Sequence, residues 1–379
     1  MKHHQYNPDF PFVKKPFEFN KHSEKSLLQY CLGGTLYMPA TKDVLQKLLM
    51  NGFPGLTSMI MCFEDAIAER ELPEAEKNII KLLNSIIQAL QNNKVEQSSL
   101  PLIFLRVRDS IHFKDFTAKL TLGQLEVLTG FVFPKVDSEN LYGFLECLEV
   151  LRLRSGSKLY GMPILEGKMI AQNETRAGEL AKLRIILSSF KSSILNIRVG
   201  ANDFSSFFGV RRGINYSIYD ISTVRDCLAD ILNYFSREGE DYIISAPVWE
   251  YFLADKKENI DHLLEGDIHK SLLSRNAILN DAVDGLLREI ILDKANGFVG
   301  KTVIHPSHIK YVNSLQAVTR EEYEDALQVL QIDGGVCKGS NNKMNEGNPH
   351  KNWARRIVCM ADAYGVVENE SSYLKLCHS

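Results

Sequence analysis

Short, almost wholly apolar runs alternate with longer amphipathic stretches along most of this chain. The runs are Gly34–Pro39, Ser58–Phe63, Leu102–Leu105, Phe131–Phe133, Leu159–Leu165, Ile194–Val199, Asp241–Pro247 and Gly297–Ile304. Continuous apolarity, in place of a polar–apolar alternation, predicts strands buried on both faces. Between the runs, Thr41–Leu49 has helical spacing with a Thr cap, and Pro73–Leu90 reads as a long amphipathic helix. Strands alternating with helices predict a parallel α/β domain, and a count of eight favours a closed (β/α)8 TIM barrel over an open sheet.

The flanks break this rhythm. Residues 1–33 carry Tyr6, Phe10, Phe12, Phe17 and Phe19 among prolines, which predicts an extended arm packed on the body. The barrel is expected over 34–318 and a helical extension over 319–379. In the extension, Thr319–Leu330 is helical with Glu321, Glu322, Glu324 and Asp325 in its first turns. The Gly-, Asn- and Lys-rich residues 333–352 read as a loop, and Asn352–Val367 is helical again.

The candidate chemistry lies where the runs end. Six of them finish in a charged group or histidine: Glu64 and Asp65, Arg106, Lys135, Glu166, Asp203 and His305. Parallel strands of one barrel bring all of these to the same C-terminal rim. Glu166 and Asp203, on adjacent strands, suit one hard divalent cation: Mg2+, with Mn2+ as the alternative ion. Such a cation leaves positions for a 2-oxo acid and acts on the developing oxyanion as a Lewis acid. The fork of Arg106 suits a carboxylate or the same oxyanion. Lys135 is the rival, a Schiff-base nucleophile, but neighbouring carboxylates raise a lysine pKa when the chemistry needs it lowered.

Plainer readings stand beside these. Glu64-Asp65 also fits a solvated strand end, His305-Pro306 a chain turn, and Arg211-Arg212 a solvated pair or an anion holder at the rim. Trp249 and Trp353 read as packing anchors.

Composition narrows the picture. A net charge of −3 supplies no basic field for nucleic acid. No run is long enough to span a bilayer, and the polar start lacks the apolar core of a signal peptide, so a cytoplasmic protein is expected. The seven cysteines form no C-x-x-C pair and read as reduced, mostly buried thiols. Zinc-site spacings, a Walker loop, a Gly-x-Ser-x-Gly elbow and a strand-linked Gly-x-Gly-x-x-Gly are all missing from the sequence.

Taken in order, the motifs resemble the HpcH/HpaI aldolase and citrate lyase beta-subunit family. Leu36-Tyr37-Met38-Pro39 resembles that family's Leu-Phe-Val-Pro, and Phe133-Pro134-Lys135-Val136-Asp137-Ser138 its Leu-Pro-Lys-Val-Glu-Ser. Cys62-Phe63-Glu64-Asp65-Ala66, Leu105-Arg106-Val107 and Pro163-Ile164-Leu165-Glu166 fall in the same order. Gly200-Ala201-Asn202-Asp203-Phe204 and the run from Gly297 to His305-Pro306 complete the set. The resemblance runs from about residue 34 to about 366.

The resemblance implies a TIM barrel, Glu166 and Asp203 as Mg2+ ligands, and Arg106 on the substrate's acid end. It also implies a C-terminal lid, often over a neighbouring subunit of a homo-oligomer (trimer or hexamer). Lys343-Met344-Asn345-Glu346 resembles Lys-Met-Val-Asp, which makes Glu346 a candidate acid/base beside Glu64 and Asp65. Pro39, Lys135, Lys168, Arg211 and His305 join Arg106 as candidate substrate-binding residues.

There are departures as well. Gly167-Lys168 follows Glu166 in place of Thr-Ala, and Arg108 stands where many members have Asn. These weaken the transfer of a coenzyme A thioester substrate. They align the chain with a divergent branch, the C–C bond lyases of the TIM-barrel fold associated with stress and tellurite-resistance clusters. The expected activity is Mg2+-dependent C–C cleavage of a small 2-oxo or 2-hydroxy acid. The alternatives are a lyase for a phosphorylated sugar or nucleotide precursor, resting on Arg108, Lys168, Arg211 and Arg212, and a non-catalytic barrel.

Overall fold

The computed structural model describes residues 1–239, 242–252, 279–332, 334–339 and 344–377. Eight strands form one parallel sheet: β1 (Gly34–Pro39), β2 (Ser58–Cys62), β3 (Leu102–Arg106), β4 (Gly130–Phe133), β5 (Tyr160–Leu165), β6 (Ile197–Val199), β7 (Ile244–Ser245) and β8 (Lys301–Val303). Each strand from β1 to β6 pairs with the next, and β8 pairs with β1. The last gap closes through a parallel bridge between Ala246 and Lys301, where the Ala246 N–H donates to the Gly300 carbonyl at 3.1 Å. The result is a TIM barrel.

The buried pattern explains the continuous apolarity of the runs. Every residue of β2 to β5 is buried, because the lumen covers one face and the helices the other. The helix after β2 spans Leu72–Gln91, with Pro73 in its first turn, where its missing N–H costs nothing. The helix after β1 is shorter than expected, Leu45–Leu49, and Thr41 does not cap it. The predicted start of the seventh strand, Asp241, lies outside the described residues.

The arm and the extension pack on one another. Lys14 bridges Val366, and the His3 ring stacks on Tyr364 at 4.2 Å. The Tyr364 hydroxyl accepts from the Gly33 N–H, just before β1. These contacts lie at the end of the barrel where β1 begins, opposite the rim where its strands finish. In the extension, Arg320–Gln331 is helical, and Thr319 caps it in a reciprocal box with Glu322. The stretch expected to be loop contains a hairpin, Val336–Lys338 with Met344–Glu346. The last long helix starts earlier than the pattern indicates, at Gly347, and ends at Tyr364. Of the tryptophans, Trp249 is fully buried, whereas Trp353 is 38% exposed and lies against His350 at the surface. Among the described side chains, Cys31, Cys62, Cys147, Cys227, Cys359 and Cys377 are free thiols.

Candidate active site at the barrel rim

Strand register places the functional side chains. Cys62 pairs with Arg106, so Glu64 and Asp65, just past β2, stand beside the end of β3. Leu165 pairs with Val199, which puts Glu166 next to Gly200 and the turn that carries Asp203. Asp203 sits in the first turn of the helix Ala201–Phe207.

One guanidinium gathers the acids. Arg106 Nη2 donates to Glu166 Oε1 at 3.0 Å, lies 2.8 Å from Glu64 Oε2 and 3.6 Å from Asp65 Oδ2. Lys135 joins from β4: its Nζ donates to Glu64 Oε1 at 2.6 Å and to Asp65 Oδ1 at 3.0 Å. Its own N–H donates to Glu166 Oε1 at 2.9 Å. Lys135 adopts φ 48°, a left-handed conformation uncommon for a residue with a side chain. Strain of this kind is characteristic of sites that hold a group in place.

Electrostatics separates the roles. Burial opposes the Lys135 charge, but its hydrogen bonds to Glu64 and Asp65 more than offset that and hold the ammonium above its ordinary value. An amine held charged is a poor Schiff-base nucleophile. Burial also pushes Asp65 upward, yet its hydrogen bonds with Glu64 and Lys135 leave it below the usual carboxylate range. Glu166 goes the other way. Burial raises its carboxyl to about 8, Arg106 pulls down, and the Asp203 charge adds to the rise.

Glu166 Oε1 already takes two N–H groups, while Oε2 is turned toward Gly200. A Cβ at residue 200 would collide with Oε2 and lie 2.6 Å from Glu166 Cβ. Gly200 is therefore the residue that lets strand β6 approach this carboxylate. The donor set fits Mg2+: hard oxygens, two carboxylates on adjacent strands, and space for water and substrate oxygens. Among the described residues no group of three or more His, Cys, Asp or Glu side chains is arranged to hold a metal.

These groups open onto a cavity of about 450 Å3, lined by Pro39, Asp65, Arg106, Glu166 and Asp203 among others. That is a small-molecule size. Glu64 and Lys135 stand behind Asp65 and Arg106 as ion-pair partners. Other predicted residues fall elsewhere. His305 stacks on Phe252 at 4.6 Å with Nδ1 2.7 Å from Ser307 Oγ, and it does not line the cavity. Lys168 and Arg211 are exposed away from the lining. Glu346 stands just before the last long helix, without a capping hydrogen bond from its side chain, and also lies off the lining of its own chain, while Lys343 is outside the described residues. Arg212 is no solvated partner of Arg211: it is buried between Glu289 and Glu250 and lies over Trp249.

The cavity also holds residues that strand-end reasoning passed over: Tyr37 on β1, Arg198 on β6 and Thr302 on β8. Their signal was a polar side chain inside an apolar run bound for a barrel lumen.

A barrel with charged side chains gathered at the C-terminal ends of its strands, over a small cavity, has the geometry of TIM-barrel enzymes. Residues 26–366 match the family model described as C–C bond lyase of the TIM-barrel fold, and the chain belongs to that family. The citrate lyase subunit beta of Leuconostoc mesenteroides subsp. cremoris is 23% identical over 345 residues, covering 90% of this chain and 96% of that protein. CitE from Mycobacterium tuberculosis, solved with magnesium, acetoacetate and coenzyme A, is similar at 17% identity and a TM-score of 0.49, over 88% of this chain and 99% of that one. Malate synthase from Haloferax volcanii, solved with magnesium and glyoxylate, is similar at 13% identity and a TM-score of 0.49, over 76% and 74%. Among the described residues no helix is long and apolar enough to cross a membrane.

Proposed function

We propose that this chain is a Mg2+-dependent carbon–carbon lyase for a small acid with an oxo or hydroxy group at C2. The observation that carries the reading is the half-used Glu166 carboxylate. One oxygen is fixed by Arg106 and the Lys135 N–H, the other is free of those bonds beside Asp203, and both acids line the cavity.

Glu166 and Asp203 would hold the cation, which would supply Lewis acidity to the reacting end of the substrate. Arg106, already oriented by Glu64 and Glu166, presents its fork to the substrate carboxylate and to the charge that develops on that oxygen. In the cleavage direction Asp65, ionised and facing the cavity, takes the proton of the 2-hydroxyl. The C2–oxygen bond becomes a carbonyl, the C2–C3 bond breaks, its electron pair passes into a carbonyl adjoining C3 as an enolate, and Asp65 returns its proton to C3. Lys135 holds Glu64 and Asp65 in place through its ammonium. A proton-transfer role for Glu346 requires a second copy of the chain, in line with the homo-oligomer that the resemblance implies. The phosphate reading is weakened, because Arg212 is already committed to two glutamates.

The test is release of a 2-oxo acid from a panel of 2-hydroxy acids and their coenzyme A thioesters, with Mg2+ and with chelator. Mg2+-dependent product that disappears in Asp203→Ala supports the proposal. Turnover indifferent to chelator would end it.

A further inference from the structure

Arg198 is an oddity among the charged groups of this cavity. It is 1% exposed, yet among the described residues no carboxylate pairs with it. From β6 it reaches across the lumen: Nη2 donates to Thr302 Oγ1 on β8 at 2.6 Å, and Nη1 lies 3.4 Å from Thr35 Oγ1 on β1. Its guanidinium carbon stands 5.4 Å from the Tyr37 ring centroid, and its Nε is buried without an acceptor. Two neutral hydroxyls and one ring face are thin compensation for a buried cation, whose desolvation costs several kcal/mol. Arg106 and Arg212 are also buried and share the unpartnered Nε, but each has two or more carboxylates. A guanidinium has five donors, so Arg198 has donor capacity left over, and it lines the same cavity as Glu166 and Asp203.

We propose that Arg198 receives a second anionic group of the substrate, at the β1–β6–β8 side of the cavity, and so selects dianionic acids. The inference rests on the functional reading above, which places the reacting end of the substrate at Glu166, Asp203 and Arg106. A carboxylate is the better fit, because a planar fork with flanking hydroxyls matches its two oxygens. A phosphate is the other source of such charge. The substrate class is then a 2-oxo or 2-hydroxy dicarboxylate, and Arg198 is a specificity-determining residue.

Isothermal calorimetry in saturating Mg2+ tests this with pyruvate, oxaloacetate and phosphoglycolate as probes. The wild type should bind oxaloacetate at least about tenfold more tightly than pyruvate, the usual worth of a charge-assisted pair. Arg198→Gln should remove that preference while leaving pyruvate affinity unchanged. Arg198→Lys should restore part of it, which a merely structural role would not do. Tighter binding of phosphoglycolate than oxaloacetate assigns the pocket to phosphate and overturns the dicarboxylate class. The wild type alone guards against misfolded variants: no preference for the diacid over the monoacid, or no binding of either, overturns the proposal. A preference that survives Arg198→Gln also overturns it. Repeating the wild-type titration without Mg2+ separates the two claims. Pyruvate and oxaloacetate affinities that are the same with and without Mg2+, with the Arg198-dependent preference kept, would refute the cation reading and leave Arg198 standing.

Discussion

Two charged clusters of this molecule look alike in composition and differ in how far they are satisfied. Outside the barrel, Lys301 of β8 and Arg212 meet Glu289 and Asp293 of the helix Asp281–Asn296. Lys301 Nζ donates to Glu289 at 2.9 Å and to Asp293 at 2.7 Å, and the Tyr219 hydroxyl donates to Asp293 at 2.7 Å. Arg212 pairs with Glu289 and Glu250 and covers Trp249, which itself fits against Gly285, where a Cβ would collide with the indole. At the rim, Arg106 and Lys135 meet Glu64, Asp65 and Glu166 with similar distances. In the first cluster the charges answer one another, and none of Lys301, Glu289, Asp293 and Arg212 lines the cavity at the rim. The second has an unspent Glu166 oxygen, Asp203 and Arg198 around open space. Buried charge therefore does not by itself mark a site. Buried charge left incomplete beside a cavity does.

Removing one member of each cluster should separate them most sharply. Glu289→Ala strands Lys301 and Arg212 in the interior and should cost about 3–5 kcal/mol, read by urea denaturation. Glu166→Gln should cost little or stabilise the cation-free fold, because it removes a carboxyl that burial already disfavours. Comparable losses in the two variants would erase the distinction.

Gly200→Ala comes next. Its Cβ must displace Glu166 Oε2, so Mg2+ affinity should fall by about 10–100-fold, the usual effect of disturbing a ligand's support. The far-ultraviolet circular dichroism spectrum should be unchanged. Unaltered Mg2+ binding would show that Oε2 is not a ligand.

The pH dependence is a smaller and graded effect. In the cation-free protein Glu166 stays protonated up to about 8, so Mg2+ must displace that proton at lower pH. Affinity should rise with pH up to about 8 and level off above it, with proton release visible as buffer-dependent heat. The sign for stability is opposite. The folded state keeps a proton that the unfolded chain gives up near 4.5, so this group's contribution without Mg2+ falls as pH climbs from there through about 8. At the small end, Lys168→Ala and Arg211→Ala change exposed side chains off the cavity. Stability should move by no more than about 0.5 kcal/mol, and Mg2+ affinity should not change. A large loss of affinity in either would bring that residue back to the rim.

The barrel was legible because burial on both faces leaves a local mark, an unbroken apolar run, and six of the eight runs end where a charged group or histidine begins. Glu166, Asp203 and Arg106 were legible for the same reason, since strand ends of one barrel converge. Arg212 was not, because its fate depends on Glu289, 77 residues away. Arg198 was in plain view inside an apolar run, but only the fold shows that it reaches Thr302 instead of an acid. Glu346 matched a motif, yet the hairpin that carries it packs with the C-terminal helices, and no local pattern reports that placement. The early start of the last helix, at Gly347, was hidden by the Gly- and Asn-rich composition before it.

The central claim is that Glu166 and Asp203 together hold a divalent cation at the barrel rim. Calorimetric titration of Mg2+ into the wild type, Glu166→Gln and Asp203→Ala tests it most directly. The account predicts one site per chain in the wild type and no measurable site in either variant. Equal Mg2+ affinity in the three proteins would contradict it.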